Sequence, residues 1–559
     1  MLLSKKRASE VCRRGLFRAA TGVAVLSRGG RVWSADEANE AIQETQQVKQ
    51  VDVFVSHSWS SDRWEKHLAM CFYLNLWMAS KALAVSAVVS QFVVAFLPEQ
   101  SIDMTYMILM DLPVLIFLTF FFFGQHLTCG CLCPSIWVDK LCVDQTNEST
   151  KSQGIAELPA IVACSDQLLV LWSESYFERL WCNFELSIFV KLCGVGKIRC
   201  VPLWMAPWLL ITIALSWFGS RMDSIVLDSD PEAFTVVLSY GPQDDALEYA
   251  MSRTMEYLAE APFFAVTLLP NLIVSAISFR MKLERHETML KHMETFDIRA
   301  AKCSLEEDRE NIEQRVAELF DGIDDPTISV ALGSPGTGAP SEMETETETR
   351  IAVPLDSRPA IRAVTSYLGH EDSLDAFNTF VRHQLRSAIT ADLGLETDFP
   401  WNVSLLSFFP AFLDFTAQIW CGRAFRDKAG FASDEQYFAL SFGTAFLALF
   451  VNFPLSPPCF LLVMKWVVAR TSPGFLRHLL ALTCGFVLNT ALCAMYGSMI
   501  GMLESFVITG HLGLLTFFLL MLSIHLFCNY ALYGHDIQNF HRLRLSQRGL
   551  RREECDSLM

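Results

Sequence analysis

Charged residues are scarce in this chain. They make up 19% of its 559 residues, whereas 52% are hydrophobic, with 42 Phe and 13 Trp among them. Soluble proteins rarely combine so little charge with so many apolar residues, so the composition predicts membrane-spanning segments. The length is also too great for one ordinary domain.

A surplus of basic residues is missing too, because the formal net charge is -17. No sustained basic stripe is present, which argues against nucleic acid as a partner. The sequence contains no Gly-rich phosphate loop, which weakens a kinase or nucleotide-triphosphatase assignment. The 17 Cys are scattered and odd in number, so they predict no disulfide framework and most are interpreted as small apolar residues.

Residues 1–47 lack an apolar core long enough for a secretory signal. Eight Lys and Arg side chains lie before residue 32, against one early acid, Glu10. We predict a flexible cytosolic arm near anionic lipid, and an organelle transit peptide is the alternative.

Four apolar runs predict buried strands, at 51–56, 136–143, 168–172 and 197–204. Helical segments separate them, which indicates a βαβ series with a parallel sheet. A membrane hairpin at 76–123 interrupts this series. Strands of one sheet must lie on the same side of a membrane, and two spans return the chain to that side.

Eight spans are predicted, or nine if Pro454, Pro457 and Pro458 divide the longest one. The spans are 76–97, 106–123, 207–219, 262–279, 401–421, 437–468, 478–503 and 507–533. Arg280 and Lys282 directly follow the fourth span, and an even count places the Arg-rich tail on the same side. Positive charge marks the cytosolic flank, so the sheet domain and the tail are predicted to lie on the cytosolic side of the membrane. The sequence does not indicate which membrane this is.

The domain organisation follows from these segments. The expected order is a basic arm (1–47), an α/β domain (48–204) containing the hairpin, a transmembrane pair with an acidic non-cytosolic loop (205–279), a cytosolic amphipathic helix with a coiled coil as alternative (280–323), a disordered acidic linker (324–357), a cytosolic helical segment (358–400), an all-α transmembrane block (401–533) and a basic cytosolic tail (534–559).

The stretch 168–186 organises the α/β domain. A buried strand ends at Ser173, and a helix is predicted from Tyr176 because apolar residues recur at spacings of three and four. Glu185 lies one turn after Trp181 on that helix. An acidic residue near the carboxyl end of a strand is where open α/β sheets place their ligand sites.

Three motifs in order resemble the Toll/interleukin-1 receptor (TIR) domain over roughly a quarter of the chain. They are Asp52-Val53-Phe54-Val55-Ser56, the strand and loop spanning 136–154, and Arg179-Leu180-Trp181-Cys182-Asn183-Phe184-Glu185-Leu186 after Ser173. The Trp-x-Asp-x-x-Cys-x-x-Gln string at 137–145 is also similar to the TIR-related heterokaryon-incompatibility domain. The resemblance ends after Trp204, so the domain is either truncated or completed by a later helix.

The resemblance implies a flavodoxin-like fold, self-association and signalling. Some TIR domains cleave NAD as a substrate, and their catalytic glutamate corresponds to Glu185, while no resident cofactor is implied. A carboxylate suits this chemistry because it stabilises the oxocarbenium-like ribose that loss of nicotinamide leaves. The residues then expected to contact NAD are Phe54, His57, Trp59, Asp139, Ser173 and Trp181.

Two alternatives stay open for this site. Glu185 is also compatible with a plain helix-surface acid, or with an acid that pairs with Arg179 or Lys191. Many TIR domains act only as assembly modules, without catalysis. The tryptophans are more often core residues than base-stacking ones.

Two further sets of residues carry separate hypotheses. Cys129, Cys131 and Cys133 follow the second span on its predicted cytosolic side, which favours S-palmitoylation over a metal site, and no metal is predicted. Polar residues within the predicted spans keep an ion channel or transporter, regulated by the TIR-like domain, as the alternative function. They are Lys81, Asp111, Asn271, Asp414, Asn452 and Asn489.

Overall fold

The computed structural model describes residues 18–33, 41–48, 50–97, 101–130, 133–143, 154, 157–229, 246–303, 306–322, 368–426 and 430–534. The chain folds as two compact units. The first contains Met1–Asn75, Phe123–Met205 and Arg285–Leu393, and the second contains Leu76–Phe122, Ala206–Glu284 and Gly394–Met559. This confirms, at the coarse level, an α/β part and a separate helical part.

The first unit is built on a six-stranded sheet with the strand order β2-β1-β4-β3-β5-β6. The strands are β1 (Arg18–Ala20), β2 (Thr45–Gln47), β3 (Val51–His57), β4 (Ile136–Trp137), β5 (Ser165–Trp172) and β6 (Ile198–Pro202). Strands β4, β3, β5 and β6 pair in parallel with one another, as expected of apolar runs buried on both faces. However, β1 runs antiparallel to both β2 and β4, so the predicted parallel arrangement holds for these four strands and the whole sheet is mixed.

The helices are α1 (Gly22–Leu26), α2 (Arg63–Phe96), α3 (Ile102–Leu127), α4 (Asp139–Cys142), α5 (Leu158–Ala163), α6 (Leu180–Cys193), α7 (Met205–Ser229), α8 (Ala246–Thr267), α9 (Leu269–Glu294), α10 (Glu306–Leu319), α11 (His370–Phe380), α12 (Arg386–Leu393), α13 (Trp401–Ser407), α14 (Phe409–Gly422), α15 (Asp434–Leu447), α16 (Ser456–Arg470), α17 (Phe475–Thr509) and α18 (Leu512–Gly534). Two of them, α2 and α3, lie in the chain between β3 and β4, and both are long and apolar enough to cross a membrane.

The N-terminal segment is part of the sheet rather than a flexible arm over its described residues. Strand β1 pairs with β2, and Arg18 Nε donates a hydrogen bond to Thr45 Oγ1 at 2.6 Å. Thr21 then caps α1 by accepting from the backbone N–H of Ala24. The prediction of a flexible arm is therefore wrong for 18–33 and 41–48, while residues 1–17 lie outside the described residues.

Three predicted boundaries in the first unit need correction. The run 136–143 is a strand only at β4, because the backbone turns into helix α4 at Asp139. Strand β5 begins three residues before the predicted 168. Helix α6 begins at Leu180 rather than Tyr176, since Leu180 N donates to the carbonyl of Lys302 and the preceding residues form turns.

Later helices of the chain pack on the α/β unit. Helix α10 packs against α6. From α12, Asp392 accepts hydrogen bonds from Cys200 N and Arg199 Nη1, both at 2.9 Å. Because β6 is an edge strand, this carboxylate satisfies a backbone donor that an open edge would expose. The predicted single helix over 280–323 is instead α9, a 3₁₀ turn (Ile298–Ala300) and α10.

The second unit is helical throughout its described residues. Five helical segments there and at its borders are long and apolar enough to cross a membrane: Arg63–Phe96, Ile102–Leu127, Asp434–Arg470, Phe475–Thr509 and Leu512–Gly534. A sixth is formed if α13 and α14, bent by 46°, count as one span. The predicted spans 207–219 and 262–279 do not meet these criteria, the second because the chain breaks between α8 and α9.

The predicted break at the prolines is milder than expected. Asp434–Arg470 stays one helical segment, in which a π-helical turn (Ala448–Asn452) and a 3₁₀ turn (Phe453–Leu455) join α15 to α16. This argues against the division that would give nine spans. The predicted acidic linker (324–357) and the tail after residue 534 lie outside the described residues, as does most of the acidic loop before α8.

Candidate functional site

The carboxyl ends of β3, β4 and β5 share one edge of the sheet. The parallel register pairs Phe54 with both Trp137 and Leu168, so the segments that follow these strands leave from the same edge. His57 ends β3, and the segments that follow the strands carry Trp59, Asp139 and Ser173. Such an edge is where open α/β sheets bind ligands.

Glu185 projects from α6 to this edge and is partly buried. Its Oε2 accepts a hydrogen bond from Ser56 Oγ at 2.5 Å, and Ser56 Oγ lies 2.8 Å from the hydroxyl of Tyr176. Burial raises the pKa of Glu185 to about 8, while the bond from Ser56 lowers it and the charge of Asp139 raises it. Glu185 therefore accepts a hydrogen bond from a residue of strand β3.

Trp59 and Asp139 form the second contact of the edge. Trp59 Nε1 donates to Asp139 Oδ2 at 3.1 Å, and Asp139 Oδ1 accepts from the backbone N–H of Lys140 at 2.8 Å. Burial raises the pKa of Asp139 to about 6, against the lowering effect of these two hydrogen bonds. The ammonium groups of Lys140 and Lys66 lie 4.8 Å and 5.3 Å from the centroid of the Trp59 ring, so the indole is flanked by cations.

His57 ends β3 and is buried between two indoles. Its ring lies 4.5 Å from that of Trp59 and 5.1 Å from that of Trp33, and Cys182 Sγ donates to its carbonyl at 3.4 Å. Burial lowers the pKa of His57 well below its usual value, and the charges of Lys66 and Lys140 lower it further. His57 is thus neutral at physiological pH and does not serve as a cation.

Ser173 belongs to a small group of hydroxyls at the same edge. Its Oγ lies 3.3 Å from Ser175 Oγ, which in turn donates to Ser58 Oγ at 3.1 Å. Ser60 Oγ lies 2.9 Å from Ser175 Oγ. Hydroxyls that can both donate and accept suit a ligand rich in hydroxyl or phosphate oxygens.

Two predicted contact residues lie outside this group. Phe54 is fully buried and its ring stacks on Trp137 at 4.5 Å between centroids, so it belongs to the core. Trp181 is half-buried, and the centroid of its ring lies 5.9 Å from that of Phe184. Both positions therefore support the site through packing.

Sequence reasoning missed three residues that matter here: Ser56, Tyr176 and Lys66. Ser56 is a polar residue that follows the buried apolar run Val53–Val55 of strand β3. A polar side chain that interrupts a buried run usually makes a buried hydrogen bond. Lys66 is fully buried, and among the described residues its Nζ has no hydrogen-bond partner. Its position one helical turn after Asp62 gave no indication of this burial.

The arrangement provides two carboxyl groups in different environments. Asp139, with a pKa of about 6, is mostly ionised at neutral pH, whereas Glu185, with a pKa of about 8, is mostly protonated in this conformation. Pairs of acids whose pKa values are pushed apart are a recurring arrangement for acid–base chemistry. The described residues contain no group of three or more His, Cys, Asp or Glu placed to hold a metal ion.

The cysteines proposed for lipidation differ in exposure. Cys129 is exposed, with a positive φ of 50°. Cys133 is half-buried, its Sγ accepts from Gly22 N at 2.9 Å, and burial raises the pKa of its thiol to about 11. A thiol held in this way reacts poorly, so Cys129 is the better candidate. Cys131 lies outside the described residues.

The geometry defines a class of structure: an α/β unit with a mostly parallel sheet and polar side chains at its carboxyl edge, together with a unit of apolar helices. No protein-family model matches the chain, and no curated protein sequence and no solved structure matches it either.

Proposed function

We propose that this chain is a multi-pass membrane protein that signals through assembly of a cytosolic TIR-like, flavodoxin-like domain, and that this domain cleaves NAD through Glu185. The observation that carries the proposal is the contact between Glu185 and Ser56 at the carboxyl edge of the sheet. That contact brings the carboxyl of the Trp-Cys-x-x-Glu-Leu helix to the end of the first apolar strand. The helices apolar enough to cross a bilayer support the membrane assignment.

The chemistry of the proposal needs Glu185 as a carboxylate. Departure of nicotinamide leaves positive charge on the ribose, and a fixed negative group next to it lowers the barrier. Trp59, held by Asp139, offers an indole face for a base, and the serine group after β3 and β5 offers partners for ribose and phosphate oxygens. In this conformation Glu185 loses its proton only near pH 8, so substrate entry or assembly has to increase its exposure for full activity at neutral pH.

The proposed activity has a defined pH dependence. We expect kcat/KM for nicotinamide release to rise with pH up to about 8, because the ionised fraction of Glu185 rises. Ser56→Ala removes the hydrogen bond that favours the carboxylate, so it shifts this profile to higher pH. Glu185→Gln abolishes turnover at every pH.

The test uses the full chain in detergent, clustered on beads, with nicotinamide release from NAD as the readout. Glu174→Gln is the matched control, because Glu174 is an exposed acid shortly before α6 whose carboxylate lies 3.6 Å from Arg285 Nε. Equal turnover in wild type and Glu185→Gln overturns the hydrolase proposal. Turnover that is absent in all variants, with clustering verified by cross-linking, leaves assembly as the remaining activity of the domain.

A further inference from the structure

The second unit encloses a cavity of about 320 Å³. Its walls come from α7, α8, α14, α15, the irregular turn after α15, and α17. Ligand sites for small molecules occupy volumes from roughly 300 to 1,000 Å³, so this space suits a compact organic molecule. Nothing in the α/β unit takes part in it.

One wall of the cavity carries a buried ion-pair group. Arg253 Nη1 contacts Glu256 Oε2 at 2.6 Å, and Arg253 Nη2 contacts Glu504 Oε2 at 2.7 Å. The hydroxyl of Tyr257 also donates to Glu504 Oε1, at 2.9 Å. The positive charge of the guanidinium is therefore compensated by two carboxylates, so it does not repel a cationic ligand.

Helix α14 adds a further acid to the lining. Asp414 is only 4% exposed, lines the cavity from α14, and accepts a hydrogen bond from the hydroxyl of Tyr106 at 2.7 Å. The cavity and the ion-pair group on its wall therefore include three carboxyl groups, Glu256, Glu504 and Asp414, and one guanidinium, so the balance of charge there is negative. Ionisable groups among apolar helices are costly and usually have a function.

A polar side chain without a partner points to a ligand. Asn452 lines the cavity and is only 3% exposed, and its Oδ1 accepts no hydrogen bond from the described residues. It ends the π-helical turn Ala448–Asn452, and such turns are frequent at functional sites. A buried amide oxygen left unsatisfied costs free energy unless a ligand donates to it.

Aromatic rings complete the lining. They belong to Tyr257, Phe415, Phe431, Tyr437, Phe453 and Tyr496. The hydroxyl of Tyr496 donates to the carbonyl of Thr444 at 2.7 Å, and that of Tyr437 donates to the carbonyl of Ile419 at 2.8 Å, which fixes the ring positions. Fixed aromatic rings beside carboxylates attract organic cations through their π faces.

From these features we infer that the cavity binds a small organic ammonium cation, with Asp414 and Glu504 supplying the charge, the aromatic rings surrounding the ammonium and Asn452 accepting a hydrogen bond from the ligand. A negative, aromatic-lined space of this volume fits such a ligand better than a bare ion. The inference goes beyond the proposed signalling function and is independent of Glu185.

The probe is radiolabelled choline, bound to the full chain in nanodiscs. We expect saturable binding that tetramethylammonium displaces, while the neutral isostere 3,3-dimethyl-1-butanol and the anion butyrate do not. Displacement by the neutral alcohol at the same concentration as by tetramethylammonium overturns the cation assignment, as does the absence of saturable choline binding.

Two variants assign the binding to this cavity. Asp414→Asn keeps an acceptor for Tyr106 and is expected to weaken choline binding at least about tenfold, as loss of a desolvated charge partner does. Asn452→Asp adds a carboxylate at the unsatisfied oxygen and is expected to tighten it. Glu435→Gln, an exposed acid at the start of α15, is the matched control with unchanged binding. Wild-type affinity in both cavity variants overturns the inference.

Discussion

At the scale of single residues, the most informative side chain is Glu185. Its carboxyl is buried enough to stay protonated at neutral pH, so the folded state holds a proton that the unfolded chain releases. For an acid whose folded pKa is raised from 4.5 to about 8, stability is greatest below pH 4.5 and falls as pH rises toward 8.

This effect gives a prediction about stability. Glu185→Gln imitates the protonated side chain, so it removes the part of the stability loss that Glu185 causes between pH 5 and pH 8.5. We expect the variant to gain on the order of 2 kcal/mol relative to wild type at pH 8.5 and little at pH 5, after allowance for partial exposure. Thermal unfolding of the detergent-solubilised chain across this range measures it.

The control for this measurement is Glu174→Gln, whose pH profile should follow wild type because its carboxylate is exposed. Parallel profiles for wild type and Glu185→Gln would show that Glu185 is ionised in the folded protein at neutral pH.

Some residues of the candidate site could be predicted from the sequence, and others could not. The sequence placed Trp59 and Ser173 at the ends of their strands, and parallel strands bring their carboxyl ends to one edge. Asp139 was predicted inside the strand 136–143, whereas the strand ends at Trp137. The sequence could not pair Glu185 with Ser56, since that contact joins residues 129 positions apart through the register of two strands. Phe54 was misassigned because a strand residue facing the core and one facing a ligand look alike in sequence.

At the scale of elements, α8 and α17 pack closely because α17 presents Gly497 and Gly501 to α8. A Cβ on Gly497 would lie 2.5 Å from Tyr257 Cβ, and one on Gly501 would lie 3.4 Å from Thr254 N. Glycines four residues apart allow two apolar helices to approach each other. This approach brings Glu504 within reach of Arg253.

We therefore expect Gly497→Ala to separate α8 from α17 and to destabilise the protein by about 1–3 kcal/mol, as overpacking typically does. Gly443→Ala is the matched control, because Gly443 is also helical and its added Cβ would meet nothing within 4 Å. That control should be neutral or slightly stabilising, since Ala is the better helix former. Equal thermal unfolding midpoints for the two variants would contradict this account of the packing.

Elements differ in how far the sequence determines them. β3, β5 and β6 were found because their apolar runs are typical of strands buried on both faces. β1 and β2 were not, because Arg-Ala-Ala and Thr-Gln-Gln show no strand pattern and become strands only through pairing with each other and with β4. The hydrogen bond from Cys200 N in β6 to the carboxylate of Asp392 in α12 could not be predicted either, because the two residues are 192 positions apart.

At the scale of the whole molecule, the proposed orientation makes two internal segments lie on opposite sides of the membrane. With the eight predicted spans, the rule that positive charge stays cytosolic places 324–357 with the sheet domain and 230–245 across the bilayer. This placement needs the chain to cross at 207–219 and 262–279, the two predicted spans that do not meet the criteria of length and composition. Epitope tags inserted separately into these segments test it in cells whose plasma membrane alone is permeabilised. We expect antibody to reach the tag in 324–357 and to reach the tag in 230–245 only after full permeabilisation, and the same access for both tags would contradict the orientation.

The helical hairpin between β3 and β4 has a consequence for biosynthesis. Strand β3 lies between β4 and β5 in the sheet, and both neighbours are translated only after the hairpin. The chain from His57 to Ser165 takes on the order of 5–20 s to synthesise at usual ribosome speeds. During that time the apolar strand Val51–His57 has no sheet partner on either side, so it requires a chaperone or the translocation machinery to keep it from aggregating. Strand β3 can pair with β4 and β5 only after the hairpin has been made and inserted. The yield of folded protein should therefore depend on how fast the hairpin enters the bilayer.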